Sequence, residues 1–304
     1  MDVQKLCGAC GAHMVCSECS DDILPIARLT SDLKEAAKSV GPQEVRFLVD
    51  SYYVVQETRK RLANQIRAMS EAGEPSALLE WYFDQQKSLE RYLKTTLDVY
   101  SANHRVGEWM RSIKGVGPVI AAGFLSHIDI TKAVTAGHIW RFAGLDSTVV
   151  WNKGERRPWN ARLKVLCWKL GDSFVKTSGG DDPSPYGIRY RKWKQTYIDR
   201  NESGQYEQLA RETLETRKFN PTTEAYKAYK SGRLPAGRID LRARRKAVKL
   251  FISHLHDFWY REHFGVEPPI PYVFAHCGHV HFIRRHDVCP KEEWAKEFGF
   301  SLAA

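Results

Sequence analysis

The chain has 304 residues, of which 43% are hydrophobic and 27% charged, and its formal net charge is +10. This hydrophobic fraction can form a core, whereas a mean hydropathy of -0.46 and the lack of an apolar run of about 20 residues exclude a membrane-spanning protein. The N-terminal residues also lack the basic start and apolar stretch of a secretory signal peptide, so we expect a cytoplasmic protein. The excess of positive charge suits an anionic partner such as DNA or RNA.

Four of the seven cysteines lie near the N-terminus, in the stretch CGACGAHMVCSEC. Cys7 and Cys10 form one Cys-x-x-Cys pair, and Cys16 and Cys19 form a second one. Two such pairs supply the four thiolates of a tetrahedral zinc site. We therefore predict a structural Zn²⁺ module in residues 1–25. A redox-active pair is the alternative, but the strand and helix that usually surround such a motif are missing from the pattern.

Residues 42–109 show apolar side chains at spacings of three and four, which is typical of helices. The stretch EAGEPS interrupts this pattern, and Ser76 is a good N-cap for a second helix. We predict a long helical hairpin or coiled coil, in which Arg59 is a charged residue at an otherwise apolar slot. The pair could pack on its own domain, or it could form a homodimer with a second copy.

The stretch MRSIKGVGPVIAAGFLSHID opens a third predicted segment, residues 110–178. Gly115 and Gly117 can form a tight turn, and Pro118 suits the first turn of the following helix. This is the pattern of a helix-hairpin-helix, whose backbone N–H groups contact a phosphate without reading sequence. Lys114 adds a positive charge, and Ala121 lets the two helices approach. A purely structural turn is the alternative.

The residues after the hairpin keep a recognisable order, with FAGL, then a Lys-Gly turn, then the basic stretch ARLKVLCWKLGDSF. Together with the preceding helices, over about residues 42–177, this order resembles the C-terminal domain of the DEDD-type insertion-sequence transposases that work with a bridge RNA. The resemblance implies a nucleic-acid-binding scaffold and a coiled coil in front of it. The RuvC-like nuclease domain of that family has no counterpart here. The place of the family's nucleophilic serine is held by Trp151 and Asn152, so Ser147 is the nearest candidate nucleophile.

Basic residues interleave with aromatic ones through the second half of the chain, a combination that suits phosphates and bases. Five tryptophans lie in basic stretches: Trp140, Trp151, Trp159, Trp168 and Trp193. One amphipathic helix is predicted from Gly237 to Gly265, and its basic start includes Lys246 and Lys249. Besides the hairpin residues, we predict nucleic-acid contacts at Lys153, Arg156, Arg157, Arg162, Lys164, Arg189, Arg191, Lys192, Lys194, Arg242, Arg244 and Arg245. A solvated charged face is the alternative.

The last predicted segment, residues 184–304, is a basic helical region that ends in a histidine- and cysteine-rich stretch. The alternation in HVHF indicates a strand, with His279 and His281 on one face. These two and His276 form a weak candidate metal site, with satisfied or nucleic-acid-contacting histidines as the alternative. The overall expectation is a mainly α protein with a small irregular or β part at the C-terminus.

Three functions follow from the sequence. The first is a nucleic-acid-binding protein on a transposase-like scaffold, which contacts the backbone of DNA or structured RNA. The second is an active transposase or recombinase, for which Ser147 would be the nucleophile. The third is a phage or mobile-element protein whose basic surface meets an acidic protein partner.

Overall fold

The computed structural model of the protein describes residues 28–270 and 283–288. Over these residues the chain forms eleven α-helices, two 3-10 helices and no strand, which confirms the prediction of a mainly α protein. The predicted cysteine module and the cluster of His276, His279 and His281 lie outside the described residues. The α-helices are α1 Ser31–Ala36, α2 Pro42–Glu71, α3 Ala77–Ala102, α4 Arg105–Arg111, α5 Pro118–His127, α6 Ala136–Phe142, α7 Ala161–Lys176, α8 Pro185–Glu202, α9 Glu207–Thr216, α10 Glu224–Lys230 and α11 Ala236–Phe264.

Helices α2 and α3 form the long helical pair that the sequence predicts, and they pack on each other. Pro42 occupies the first turn of α2, and the Ser76 hydroxyl accepts a hydrogen bond from the Leu79 N–H at 3.4 Å at the start of α3. The charged slot at Arg59 has a partner, because its guanidinium donates to the Glu90 carboxylate on α3. Pairing of this kind allows a charged side chain at a helix–helix contact.

One hydrophobic core joins α2, α3, α4, α5, α7, α8 and α11. Its centre is aromatic, since Trp109 of α4 stacks on Phe251 and Phe258 of α11 with ring centroids 5.9 and 5.1 Å apart. Helix α11 packs against α4, α6, α7 and α8, so it runs through the middle of this core. The division of the chain into four segments stays a prediction.

A smaller hydrophobic cluster lies between α9, α10 and the start of α11. Asn201, at the end of α8, fastens this part to the rest of the chain. Its side-chain amide donates to the Leu234 carbonyl at 3.1 Å and accepts from the Leu234 N–H at 2.8 Å. The N–H and the carbonyl of Leu234, just before α11, therefore both have hydrogen-bond partners inside the protein.

Residues 283–288 lie against α11. The buried His254 ring donates from Nε2 to the Ile283 carbonyl at 2.9 Å and accepts at Nδ1 from the Tyr186 hydroxyl at 2.8 Å. Arg285 forms an ion pair with Asp257 at 3.3 Å. Across the described part of the chain, no helix has both the length and the apolar character needed to cross a membrane.

Candidate nucleic-acid interface

The glycine turn joins α4 to α5, and it rests on the end of α7. Gly115 has a φ of +98°, and its carbonyl accepts a hydrogen bond from the Ser173 hydroxyl at 2.6 Å. A Cβ at this position would lie 2.9 Å from the Thr177 hydroxyl and 3.3 Å from the Phe174 ring. The turn needs glycine here both for its backbone angles and for this close approach.

The two other hairpin residues have different surroundings. Gly117 is exposed, has extended backbone angles and has open space where a Cβ would lie. It stands directly before Pro118, where the first N–H groups of α5 have no partner within the helix. Lys114, in contrast, is not a free charge, because its ammonium lies 2.8 Å from a carboxylate oxygen of Asp182.

The loop between α6 and α7 exposes three of the predicted cations. The Trp151 indole donates to the Glu155 carbonyl at 2.9 Å, and Asn152 donates its side-chain amide to the Glu155 carboxylate at 3.1 Å. These bonds close a tight turn around Gly154, which has a φ of +98°. The turn leaves three basic side chains exposed on its surface, at Lys153, Arg156 and Arg157.

The first half of helix α11 carries a group of basic side chains. We name it the cation stripe; it consists of Arg242, Arg245, Lys246 and Lys249. Their spacing of three and four residues places them on one helix face. Arg245 and Lys246 are exposed, whereas Arg242 and Lys249 are half-buried.

Aromatic rings from neighbouring segments lie under three members of the stripe. The Lys249 ammonium is 4.0 Å from the centre of the Trp140 ring of α6. The Lys246 ammonium is 4.7 Å from the centre of the Trp193 ring of α8. Arg242 lies over two further rings, with distances of 5.6 Å to Tyr197 and 5.1 Å to Tyr206. These contacts hold the cations in place without neutralising them.

Lys164 of α7 extends the basic surface on the other side of Arg245. Its ammonium lies 3.9 Å from the centre of the Trp159 ring. Burial lowers the pKa of Lys164, and the nearby charges of Arg245 and Arg157 lower it further. A lysine whose pKa is lowered by other cations lies in a region of positive potential.

The pKa values of the two lysines of the stripe are lowered as well. Burial lowers the pKa of Lys249; Asp146 opposes this shift and Arg245 adds to it. Burial also lowers the pKa of Lys246, with a further contribution from Arg200. Within residues 28–270 and 283–288, no carboxylate lies within 4.0 Å of the stripe or of Lys164. The surface therefore has a net positive charge that an anion could neutralise.

The remaining predicted cations fall into two groups. Three have carboxylate partners, and the ion pairs are Arg162 with Asp50 at 2.7 Å, Lys194 with Asp240 at 3.0 Å, and Arg244 with Asp172 at 3.2 Å. Three others lie on α8: Arg189 donates to the Asp287 carbonyl at 3.4 Å, Arg191 donates to the Ser178 carbonyl at 3.3 Å, and Lys192 is exposed. The internal ion pairs make the first group weaker phosphate ligands than the stripe.

Sequence reasoning predicts a basic start of α11, but it does not single out Lys246 and Lys249 as binding residues. It also does not predict that the rings of Tyr197 and Tyr206 lie under Arg242. The spacing of three and four residues along one helix could have indicated the stripe. The identity of the ring under each cation depends on how α6, α8 and α11 pack.

Ser147 lies in the loop after α6, and its side chain is exposed. The neighbouring Asp146 carboxylate accepts hydrogen bonds from the Thr148 N–H at 3.0 Å and the Thr148 hydroxyl at 2.8 Å. Both bonds go to one carboxylate oxygen, Oδ1, and no hydrogen bond joins Asp146 to Ser147 in the described residues. A nucleophilic serine needs a base within hydrogen-bonding reach.

Comparison with known proteins returned no matching family model, no matching curated protein and no matching solved structure. The resemblance to the transposase domain stays a prediction.

Proposed function

We propose that this protein binds nucleic acid through the cation stripe of α11 and the adjacent Lys164. The supporting observation is a set of five cations that have no carboxylate within 4.0 Å in the described chain, four of which lie over an aromatic ring. Five positive charges on one surface suit the regular negative charge of a phosphate backbone. Contacts of this type position a nucleic acid without selecting its sequence.

The glycine turn between α4 and α5 supplies a second contact in this proposal. In a helix-hairpin-helix, the N–H groups at the start of the second helix point toward a phosphate. The exposed Gly117 and the start of α5 at Pro118 suit that role. The Lys114 charge contributes less, because Asp182 already neutralises it.

The N-terminal cysteines complete the proposal as a structural zinc module held by Cys7, Cys10, Cys16 and Cys19. Four thiolates in two Cys-x-x-Cys pairs form a closed site, which leaves no open position for catalysis. Metal analysis should find one zinc per chain in the wild type and none after Cys10→Ser. Equal zinc in both proteins would remove the module from the proposal.

We do not extend the proposal to a serine recombinase. The covalent mechanism needs a base next to the serine, but Ser147 has no hydrogen bond to a base in the described residues, and the carboxylate of its sequence neighbour Asp146 bonds to Thr148. We propose instead a transposase-like scaffold that binds nucleic acid and does not use Ser147 as a nucleophile.

The proposal is tested by measuring the affinity of the full chain for a labelled duplex DNA, a structured RNA hairpin and an acidic polyglutamate peptide over a range of salt concentrations. Each phosphate contact contributes about -0.9 to the slope of log affinity against log salt on duplex DNA. Replacing Arg245 and Lys249 together by Gln should therefore reduce the steepness of that slope by about 2 units.

A matched control removes one Arg and one Lys elsewhere, by Arg211→Gln with Lys227→Gln. Both are exposed and already paired, with Glu207 at 3.1 Å and Glu224 at 2.7 Å. We expect this control to keep the wild-type slope. An equal loss in both double variants would mean that net charge alone drives binding. Tight binding to the peptide alone would favour an acidic protein partner.

A further inference from the structure

The aromatic rings beside the cation stripe have little free surface on which a base could stack. The Lys249, Lys164 and Lys246 ammonium groups lie 4.0, 3.9 and 4.7 Å from the ring centres of Trp140, Trp159 and Trp193, respectively. Each of these lysines therefore covers one face of its ring.

The same rings are held on other sides as well. The Trp140 indole N–H donates to the Lys249 carbonyl at 3.1 Å, which fixes the ring against α11. Trp159 lies against Gly144, where an added Cβ would come within 2.8 Å of the ring. Trp193 packs against the hydrophobic core. A base would have to displace a lysine to reach any of the three.

Proteins that bind single strands use open rings as stacking platforms for successive bases. A double helix keeps its bases stacked inside and presents phosphates. We propose that the ligand of this surface is a double helix contacted at its phosphates, and that the rings serve to position lysines. This inference rests on the proposed function and specifies its substrate class.

The spacing of the charges agrees with a duplex. Arg242 and Lys249 are seven residues apart, which is about 10 Å along an α-helix. Over that length a duplex presents about six phosphate charges, whereas one strand presents about three. Besides the four cations of the stripe, Arg200 lies close enough to add to the lowering of the Lys246 pKa that burial causes. Lys164 itself is affected by Arg245, so six cations belong to one region of positive potential.

Trp168 of α7 is a useful contrast, because the residue is 57% exposed and no cation–π contact involves it in the described chain. If stacking contributes to binding, this open ring should contribute at least as much as the covered ones. The two single variants Trp168→Leu and Trp193→Leu therefore compare the loss of an open ring with the loss of a covered one.

The experiment measures affinities of the full chain for a 20-base-pair DNA duplex, a 20-base-pair RNA duplex and an unstructured oligothymidine of equal length, at several salt concentrations. We expect the duplexes to bind at least tenfold more tightly than the single strand. Lys246→Gln should weaken duplex binding by about fivefold near 0.15 M salt, the effect of one lost phosphate contact. Trp193→Leu and Trp168→Leu should each change duplex affinity by less than threefold.

Trp81→Leu, an exposed tryptophan on α3, serves as the control for loss of a ring, and thermal melting of every variant checks the fold. Single-strand binding as tight as duplex binding, with a loss of more than about fivefold on Trp193→Leu or Trp168→Leu, would show stacking and overturn the inference. In that case the proposed function would still hold. Binding to none of the three nucleic acids would overturn both.

Discussion

Gly115 and Gly117 stand two residues apart in one turn, yet a side chain should have very different effects at the two positions. Gly115→Val places a β-branched residue at a φ of +98° and against Thr177 and Phe174, so we expect a loss of about 1–3 kcal/mol in the free energy of unfolding. Gly117→Val meets open space at ordinary extended angles and should change it by less than about 0.5 kcal/mol. Chemical denaturation measures both.

The same two variants separate folding from binding. Because Gly117 is exposed at the start of α5, its substitution by Val should reduce nucleic-acid affinity while the protein stays folded. Unchanged affinity in a normally folded Gly117→Val protein would show that the hairpin is only a structural turn. Binding would then depend on the cation stripe alone. Equal destabilisation by both variants would contradict the geometry of the turn.

The ion pair between Lys114 and Asp182 leads to a prediction of the opposite sign. Asp182→Asn removes the carboxylate 2.8 Å from the Lys114 ammonium and frees that charge for a phosphate. We expect affinity for duplex DNA to rise several-fold, with a salt slope steeper by up to about 0.9. Asp181→Asn is the control, because it makes the same change of net charge at the exposed neighbouring residue. Equal gains in DNA affinity in both variants would mean that the change in net charge causes the effect and that Lys114 makes no phosphate contact of its own.

At the level of single residues, sequence predicts which side chains are basic but not which of them are free. Arg244 and Arg245 are adjacent and equivalent in the sequence. In the structure Arg244 pairs with Asp240 and Asp172, whereas Arg245 is exposed and has no carboxylate within 4.0 Å in the described chain. The Asp240 contact is an i,i+4 pair that sequence could indicate, whereas the Asp172 contact comes from the packing of α7 on α11 and is not contained in a local pattern.

Helices with clear start and stop signals are the elements that sequence predicts best. Pro42, Ser76 and Pro118 begin helices where the pattern places them, and Gly265 follows the last residue of α11 with a φ of +69°. These signals act within one turn of helix, so they can be read locally. The short helix α10 also has a local start signal, since the Thr223 hydroxyl accepts a hydrogen bond from the Tyr226 N–H at 3.3 Å. What sequence does not show is that α9 and α10 pack on each other and on the start of α11.

The Arg59–Glu90 ion pair between α2 and α3 gives a prediction about the long helical pair. Both side chains are largely shielded from solvent, with 28% and 13% of their surface exposed. Arg59→Met leaves the Glu90 carboxylate without its charged partner and should lower the free energy of unfolding by about 1–3 kcal/mol. Replacing both residues, as Arg59→Met with Glu90→Leu, should cost less than Arg59→Met alone.

Lys60 provides an exposed ion pair with which the Arg59 and Glu90 variants can be compared. It pairs with Glu57 at 2.8 Å, but both side chains are about half exposed, so Lys60→Met should cost less than about 0.5 kcal/mol. Additive losses from Arg59 and Glu90 would show that the two side chains do not act together.

In the described chain, α11 separates the hydrophobic core from the basic surface, because its two sides differ in composition. Its buried side carries Phe251 and Phe258 in the aromatic centre of the core, and its outer side carries the cation stripe. The sequence predicts this amphipathic helix as an element. It does not predict that α6, α7 and α8 surround it, because long-range packing is not a local property of the chain.

The whole molecule should lose stability in mild acid because two histidines are buried in neutral form. Burial lowers the pKa of both His127 and His254 to about 4, against an ordinary value of 6.5. Between pH 6.5 and pH 4 the unfolded chain therefore binds protons that the folded chain does not, so the free energy of unfolding falls as the pH falls. Each histidine should contribute a loss of about 2 kcal/mol by pH 5.

His254→Gln isolates one of these contributions. The Gln amide can still donate a hydrogen bond in the direction of the Ile283 carbonyl, but it takes up no proton. Denaturation at pH 7.5 measures the cost of the altered packing, and the same measurement at pH 5 adds the effect of protonation. We expect the variant to lose about 2 kcal/mol less than the wild type between these two pH values, because most carboxylates of an unfolded chain begin to titrate only below pH 5. Parallel losses in the two proteins would mean that His254 is already protonated in the fold, and its bonds to Tyr186 and Ile283 would then need a different assignment.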